Sequence, residues 1–306
     1  LLKPFRAAGV KILGVEPAKN IAAQANKDGI ETVAEFFLPK VAKKLAKKYE
    51  RAKVITANNV FAHTDDVDAF VGAVKELLAE DGVYVFEAQY LGDLLAKNLF
   101  DIVYHEHVCY YHATPMVQFF RKHGMEVFDV ERPAVHGGSI RVYVGKGRKM
   151  SKRLQQLLQE EEKMGLNTLA PYQEFAARIE KNKQKLRQII DDIKQQGKRI
   201  AGYGAPAKAT TVCYAFGIDG KDLEYIVDDS PLKQGRLMPG THIPIVSSAV
   251  LRGEKPHFAP DGATRGTPDY LIILAWNFAE PIMKNNAYFA EAGGKWIVPV
   301  PEPKVI

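Results

Sequence analysis

The stretch KVITANNVFAHTDDVDAFVGAVKELLAEDGVYVFEAQY, Lys53 to Tyr90, carries the pattern that decides the fold. KVITANNV is rich in β-branched residues and closes on Asn58-Asn59, the composition of a strand running into a turn. Asp65 and Asp66 suit a helix N-terminus, where carboxylates complement the exposed backbone N–H groups. The apolar residues of VDAFVGAVKELL recur at three and four positions, and Gly82 suits the helix end. GVYVFEAQ then reads as the next strand. Two strands joined through a helix of this length pair in parallel, with the helix on one face of the sheet.

The alternation extends both ways. Upstream lie the short strand KILGVEP, the helix KNIAAQANKDG closed by Gly29, the strand ETVAEFF and a basic helix through Tyr49. Downstream, TPMVQFFRKHG is a helix with Thr114 as cap and Pro115 at its first position. EVFDVERPAVHGGSIRVYVG reads as two antiparallel strands around HGGS. Residues 151–197 are helical and charged. A second α/β unit begins at KRIAGYGAPAKATT and continues through LEYIVDDSP, PDYLIILAW and KWIVPVP. The expected fold is therefore α/β, with two Rossmann-like doubly wound parallel-sheet units joined by a helical segment. The boundaries fall at 1–148, 149–196 and 197–306.

The 306 residues include 42 Lys and Arg against 36 Asp and Glu, a net charge of +6. The basic residues are dispersed on helical stretches such as KVAKKLAKKY, which gives no clustered nucleic-acid patch. The two cysteines, Cys109 and Cys213, exclude a disulfide framework and a four-cysteine zinc site within this chain, and suit a reducing cytoplasm. No apolar run reaches the roughly twenty residues of a membrane span. The expected partner is a small molecule, with neither nucleic acid nor membrane.

Several clusters carry chemistry. Tyr104-His105-Glu106-His107 packs a phenol, two imidazoles and a carboxylate into one loop; it is either a proton-transfer cluster or a polar loop with satisfied histidines. Consecutive parallel strands usually neighbour each other, so His63 and the tetrad, each following a strand, can face one crevice. His63 also reads as a helix-cap histidine. Glu16, after KILGVEP, is placed either to accept hydrogen bonds from a cofactor's ribose or to serve as a surface cap. ITANNV ends its strand near Asn58-Asn59, where Asn side chains and backbone carbonyls could hold a cofactor's amino-acid tail. His136, Gly137, Gly138 and Ser139, with Arg141, form either a hairpin turn or a close backbone approach to a phosphate or sugar. Gly202 to Lys208 matches G-x-G-x-x-A, with Asp228-Asp229 about twenty residues on, the spacing of a dinucleotide fingerprint. A purely structural turn has the same sequence.

In this order, ILGVEPAKNIA, GIETVAEFF, ITANNVFAHTDD, YHEHVCYYHATP, FRKHGMEVFDVERPAVHGGSIRVYV, RIAGYGAPAKATT, IVDDSPLKQGRLMPGTHIPI and PDYLIILAWNFAEPI resemble the sugar C-methyltransferases, which act with S-adenosylmethionine (SAM) on nucleotide-linked 4-keto deoxysugars. The resemblance spans nearly the whole chain. It implies a zinc-binding N-terminal domain, a SAM-binding domain and a C-terminal Rossmann-like domain. The zinc domain and the first SAM-binding strand, with its glycine-rich turn, are not in this sequence. The chain is accordingly expected to be the C-terminal piece of a longer protein, with structural zinc only in the absent domain. Carried over, Glu16 would hold the SAM ribose, Phe36 or Phe37 would flank the adenine, and Asn58 would lie near the methionine end. His107 would be the base, with Tyr104, Glu106 and His63 around it. His136, Gly137, Gly138, Ser139, Arg141, Gly202, Gly204 and Lys208 are candidates for holding the nucleotide-sugar. The alternatives are a nicotinamide-dependent oxidoreductase working through GYGAPAK and Asp228, and a non-catalytic nucleotide-sugar-binding remnant.

Overall fold

The computed structural model describes residues 1–133, 137–254 and 266–306. In chain order the elements are α1 (Leu2–Ala7), β1 (Gly14–Val15), α2 (Lys19–Lys27), β2 (Thr32–Val33), α3 (Pro39–Lys48), β3 (Ala52–Asn58), α4 (Val67–Leu77) and β4 (Leu78–Gln89). There follow α5 (Leu91–Ala96), α6 (Ala113–Lys122), β5 (Glu126–Glu131), β6 (Ser139–Gly145), α7 (Lys152–Lys163) and α8 (Ala170–Gln195). The last stretch holds β7 (Ile200–Tyr203), α9 (Ala207–Phe216), β8 (Ile226–Val227), β9 (Ile245–Val246), β10 (Tyr270–Ile273), α10 (Ala279–Asn285), α11 (Ala287–Glu291), β11 (Lys295–Val298) and β12 (Lys304–Val305). Among the described residues no helix is long and apolar enough to cross a membrane.

The chain falls into two compact units. The first comprises Leu1–Gln89, Val108–Pro133 and Ser139–Glu161. The second comprises Tyr90–His107, Ala134–Gly138 and Glu162–Ile306, so the tetrad belongs with the C-terminal half.

In the first unit β3 and β4 pair in parallel, as the helical connection between them requires. The sheet is mixed rather than all-parallel: its order is β3-β4-β6-β5, and β6 runs antiparallel to both neighbours. β1 and β2 form a separate parallel pair. Helices α3 and α4 share one core, in which Val41, Leu45, Ala73 and Leu77 pack with Val15, Val33 and Ile55 from the strands and with Phe37 from the loop before α3. Asp66 caps α4, accepting the Ala69 N–H at 2.8 Å. Gly82 does not end that helix. α4 stops at Leu77 and β4 starts at once, because Leu78 and Ala79 are buried; Gly82 lies inside the strand, where a Cβ would stand 3.0 Å from the Ala52 carbonyl.

An aromatic cluster adjoins this core: Phe61, Phe70, Tyr84, Phe86, Tyr111 and Phe120, with Phe61 stacked on Tyr111 at 5.0 Å. Tyr84 is completely buried and its hydroxyl has no partner among the described residues. Burial, followed by the nearby Tyr111, holds its pKa well above the ordinary phenol value. Tyr84→Phe removes an unmet polar group at no cost in shape, so the variant should be as stable as the parent or more stable by about 1 kcal/mol. A urea midpoint lowered by the substitution would show that the hydroxyl has a partner after all.

The second unit contains a six-stranded sheet of order β9-β8-β7-β10-β11-β12, parallel except for the last strand. The chain starts at the centre, moves outward through β8 and β9, then crosses back to β10. This is the Rossmann order, with its switch point between β7 and β10. The run Leu271–Ile273 is fully buried because a central strand of a parallel sheet is covered on both faces. Each such side chain contributes roughly 1.5–3 kcal/mol of burial free energy.

Candidate active site

The tetrad follows a single 3-10 turn, Phe100–Ile102, in the second unit. His107 is buried, and its Nδ1 lies 2.7 Å from the Ile102 carbonyl oxygen. A carbonyl only accepts, so Nδ1 carries the hydrogen and Nε2 carries the lone pair. The Tyr104 hydroxyl lies 3.3 Å from Nε2, with the two rings 4.4 Å apart. It is the donor of that pair. Burial, and then the charge of Glu106, raise the Tyr104 pKa, so the phenol keeps its proton. His105 and Glu106 point outward: His105 is largely exposed, and its Nε2 is 3.9 Å from the Glu106 carboxylate. The cluster thus divides into a phenol–imidazole pair, its imidazole buried and its phenol half-buried, and an exposed imidazole–carboxylate pair.

In the first unit His63 ends a 3-10 turn, Phe61–His63, directly after β3, and is exposed. The chain returning after the tetrad is tied to that turn: the N–H groups of Val108 and Cys109 both donate to the Ala62 carbonyl, at 2.9 and 3.2 Å.

The carboxyl ends of β1, β2 and β3 carry the remaining candidates. One oxygen of Glu16 accepts the Ala18 N–H at 2.8 Å at the start of α2, and its other oxygen has no partner among the described residues. The capping and ribose-binding readings of Glu16 are therefore compatible. Phe36 and Phe37 separate. Phe37 is packed edge-on against Phe70 at 5.4 Å within the core, whereas Phe36 is 70% exposed and free to stack on a ligand. Asn58 is exposed. Asn59, the second residue of the Asn58-Asn59 pair, takes a left-handed φ of 52° and buries a side-chain oxygen with no partner among the described residues. A buried, unmet acceptor beside an exposed Asn fits a ligand that brings donors, as the amino-acid tail of SAM does.

Residues 1–130 match the family described as "Methyltransferase domain", and residues 134–301 match "C-methyltransferase C-terminal domain". Over 308 residues the chain is 36% identical to the C-methyltransferase NovU of Streptomyces niveus, covering 100% of this chain and 70% of that protein. The chain is a member of the C-methyltransferase family. A SAM-dependent methyltransferase from Anabaena variabilis superposes on 46% of this chain and 71% of its own, with a TM-score of 0.38 and 14% identity. A magnesium protoporphyrin IX methyltransferase from Synechocystis, solved with bound SAH, covers 47% and 68%, with a TM-score of 0.37 and 9% identity. Neither likeness is close enough to bear on the assignment.

Several residues expected to hold substrate make contacts within the C-methyltransferase itself. Arg141, on β6, bridges two carboxylates, Glu87 at 2.8 Å and Glu131 at 3.0 Å, so its charge is already neutralised. Gly137 (φ 87°) and Gly138 (φ 145°) adopt conformations that favour glycine. A Cβ on Gly138 would fall 2.1 Å from the Asp93 carboxylate, and one on Gly137 would fall 2.7 Å from Leu99. The close approach at HGGS is therefore made to this chain's own side chains. Ser139 is buried and its N–H donates to the Pro133 carbonyl, while His136 lies outside the described residues.

The turn Gly202–Lys208 does lie between a strand and a helix, at the switch point, as expected. Its glycines again meet protein: Cβ atoms would stand 2.9 Å from Ile226 at Gly202 and 2.6 Å from Ala275 at Gly204. Asp228, the acid ending the second strand, turns inward and accepts the Ala205 N–H at 2.7 Å and the Ser230 N–H at 2.9 Å, with Lys233 at 3.2 Å. The chain's own carboxylate thus takes an N–H group that a dinucleotide fingerprint would offer to phosphate. Lys208 does not project as a free cation; it is engaged with Asp101 at 3.4 Å and with the face of Trp276 at 4.2 Å.

Proposed function

We propose that this C-methyltransferase methylates a carbon next to the ketone of a nucleotide-linked 4-keto deoxysugar, with His107 as the base. The observation that carries the reading is the tautomer of His107. The Ile102 carbonyl holds the hydrogen at Nδ1, leaving a basic Nε2 in a buried position beside a phenol that keeps its proton. A neutral imidazole removes a proton efficiently near its own pKa.

In the reaction the C–H bond next to the carbonyl breaks, the proton passes to Nε2, and the electron pair enters an enolate whose charge rests on the keto oxygen. Tyr104 connects the two events. Its hydroxyl oxygen lies 3.3 Å from Nε2; once a keto oxygen accepts the hydroxyl hydrogen instead of Nε2, Nε2 is exposed to the acidic C–H and the enolate oxygen gains a donor. Glu16, Phe36, Asn58 and Asn59 would hold SAM, which when bound supplies an electrophilic methyl group for the enolate carbon, with a neutral thioether leaving. His63, in the first unit, and Glu106, in the second, are both exposed. The partner in this reading is a small molecule, handled in the cytoplasm.

The test is methyl transfer from SAM labelled in its methyl group to a 4-keto deoxysugar nucleotide. One label per product should appear on carbon, resistant to mild hydrolysis. Label on a sugar oxygen, or NADH formation in place of transfer, would overturn the reading.

A further inference from the structure

Asp101 has no solvent exposure, yet it is a carboxylate. A carboxylate in such a place is tolerated only when donors and opposite charge surround it. Both donors converge on one oxygen: Oδ2 accepts the Trp276 indole N–H at 2.5 Å and lies 3.4 Å from the Lys208 ammonium. The other oxygen, Oδ1, is buried without a partner among the described residues. Lys208 is itself only 15% exposed, and its ammonium sits 4.2 Å over the Trp276 ring. Desolvation lowers the Lys208 pKa, and the Asp101 charge opposes that fall.

A buried pair with one unmet oxygen is a poor source of stability, since desolvation offsets most of the Coulomb gain. What it provides is a fixed position. Asp101 is the middle residue of the 3-10 turn Phe100–Ile102, and the next carbonyl, that of Ile102, receives the His107 Nδ1–H. α9 grips this turn twice, through Lys208 on Asp101 and through the Phe216 ring, 4.8 Å from that of Phe100. The Ile102 carbonyl is therefore anchored to the switch point of the second sheet by side chains far away in sequence.

We propose that Lys208 and Trp276, acting through the Asp101 carboxylate, are positioning residues that lock His107 in the tautomer with a basic Nε2. The proposal rests on the reading of His107 as the base. If the turn shifts, the Ile102 bond lengthens and the imidazole hydrogen moves to Nε2, so that the lone pair passes to Nδ1 and Nε2 can no longer take the proton. A misplacement of about 1 Å can cost up to about 100-fold in rate.

The experiment compares Lys208→Met, Lys208→Arg, the uncharged pair Asp101→Asn/Lys208→Met, and His107→Ala. Each is measured for kcat and for KM toward both substrates, and the three that keep His107 also by the 15N shifts of its ring. Lys208→Met should lower kcat about 10- to 100-fold with KM within about twofold, because only positioning is lost. The ring nitrogens should move toward the Nε2–H form, and Lys208→Arg should restore part of both. The double variant buries no unpaired charge, so it keeps the fold measurable if Lys208→Met alone unfolds; it should retain the low kcat and the altered tautomer. Unchanged 15N shifts in a folded variant, or a fall in kcat without a tautomer change, would overturn the proposal. An active His107→Ala enzyme would instead remove the base assignment on which it rests, so the two failures are separable.

Discussion

His107→Gln should lower the rate of methyl transfer about 10²- to 10⁴-fold, the range a positioned general base supplies. Glutamine fills a similar volume and can still hydrogen-bond the Ile102 carbonyl, but its amide has no basic nitrogen. The loss should appear first in enolisation. In deuterated water, without SAM, the parent enzyme should exchange the hydrogen next to the keto group of its substrate, and the variant should not. SAM affinity should be unaltered, because Glu16, Phe36, Asn58 and Asn59 lie at the ends of other strands. Exchange at the parental rate in the variant would show that another group removes the proton. The buried Nδ1–carbonyl bond makes the prediction specific: of the two imidazoles in the tetrad, only His107 has its tautomer fixed by the backbone, while His105 is exposed to water.

The parts of the fold visible in the sequence are those set by local periodicity. The β3–α4–β4 crossover, the Asp66 cap, the antiparallel pair β5–β6 and the central strand Tyr270–Ile273 all follow from composition and spacing over a few turns of chain. Gly82 misled because LLAEDG has helix-forming residues ending in glycine, while burial of Leu78 and Ala79 selects a strand. The site was legible only as a collection of residue types. That Tyr104 and His107 pair while His105 and Glu106 face water depends on the turn at Phe100–Ile102, which no local motif announces. Glycines at HGGS and GYGAPAK correctly signalled close approach, but a sequence cannot say whether a ligand or the chain's own Asp93, Leu99, Ile226 and Ala275 makes it. The partners of Asp101, Arg141 and Asp228 lie far along the chain and emerge only when the sheets are assembled. The Asn58-Asn59 pair was legible because an Asn-Asn pair at a strand end invites a left-handed residue, and Asn is enriched there.

The largest stability loss is expected at Glu161. It is fully buried, yet among the described residues every hydrogen bond of its carboxylate goes to one helix start. It accepts the N–H groups of Ala113 at 2.6 Å and Thr114 at 2.8 Å, the Thr114 hydroxyl at 2.6 Å, and His112 Nδ1 at 3.0 Å. These are groups that α6 leaves unsatisfied at its N-terminus, so a carboxylate from α7 replaces the cap expected of Thr114. Glu161→Gln keeps the shape but presents an amide with two donors to a set of donors. The cost should be about 3–5 kcal/mol, as for other buried charges whose hydrogen-bonded set is broken. It should read as a lowered urea midpoint with an unchanged slope. The pH dependence fixes the mechanism. Burial alone would raise the Glu161 pKa, but the His112 and Thr114 side chains and the two backbone N–H groups together hold it below the ordinary value. A carboxylate with a depressed folded pKa binds fewer protons folded than unfolded, so its contribution is fully present above the unfolded value of about 4.3 and is lost as pH falls through the lower folded value. The gap in stability between parent and Glu161→Gln should therefore be flat near neutrality and should close in acid. A gap that stays constant through the acid range would mean that packing at α7, rather than the charge, is what the substitution destroys.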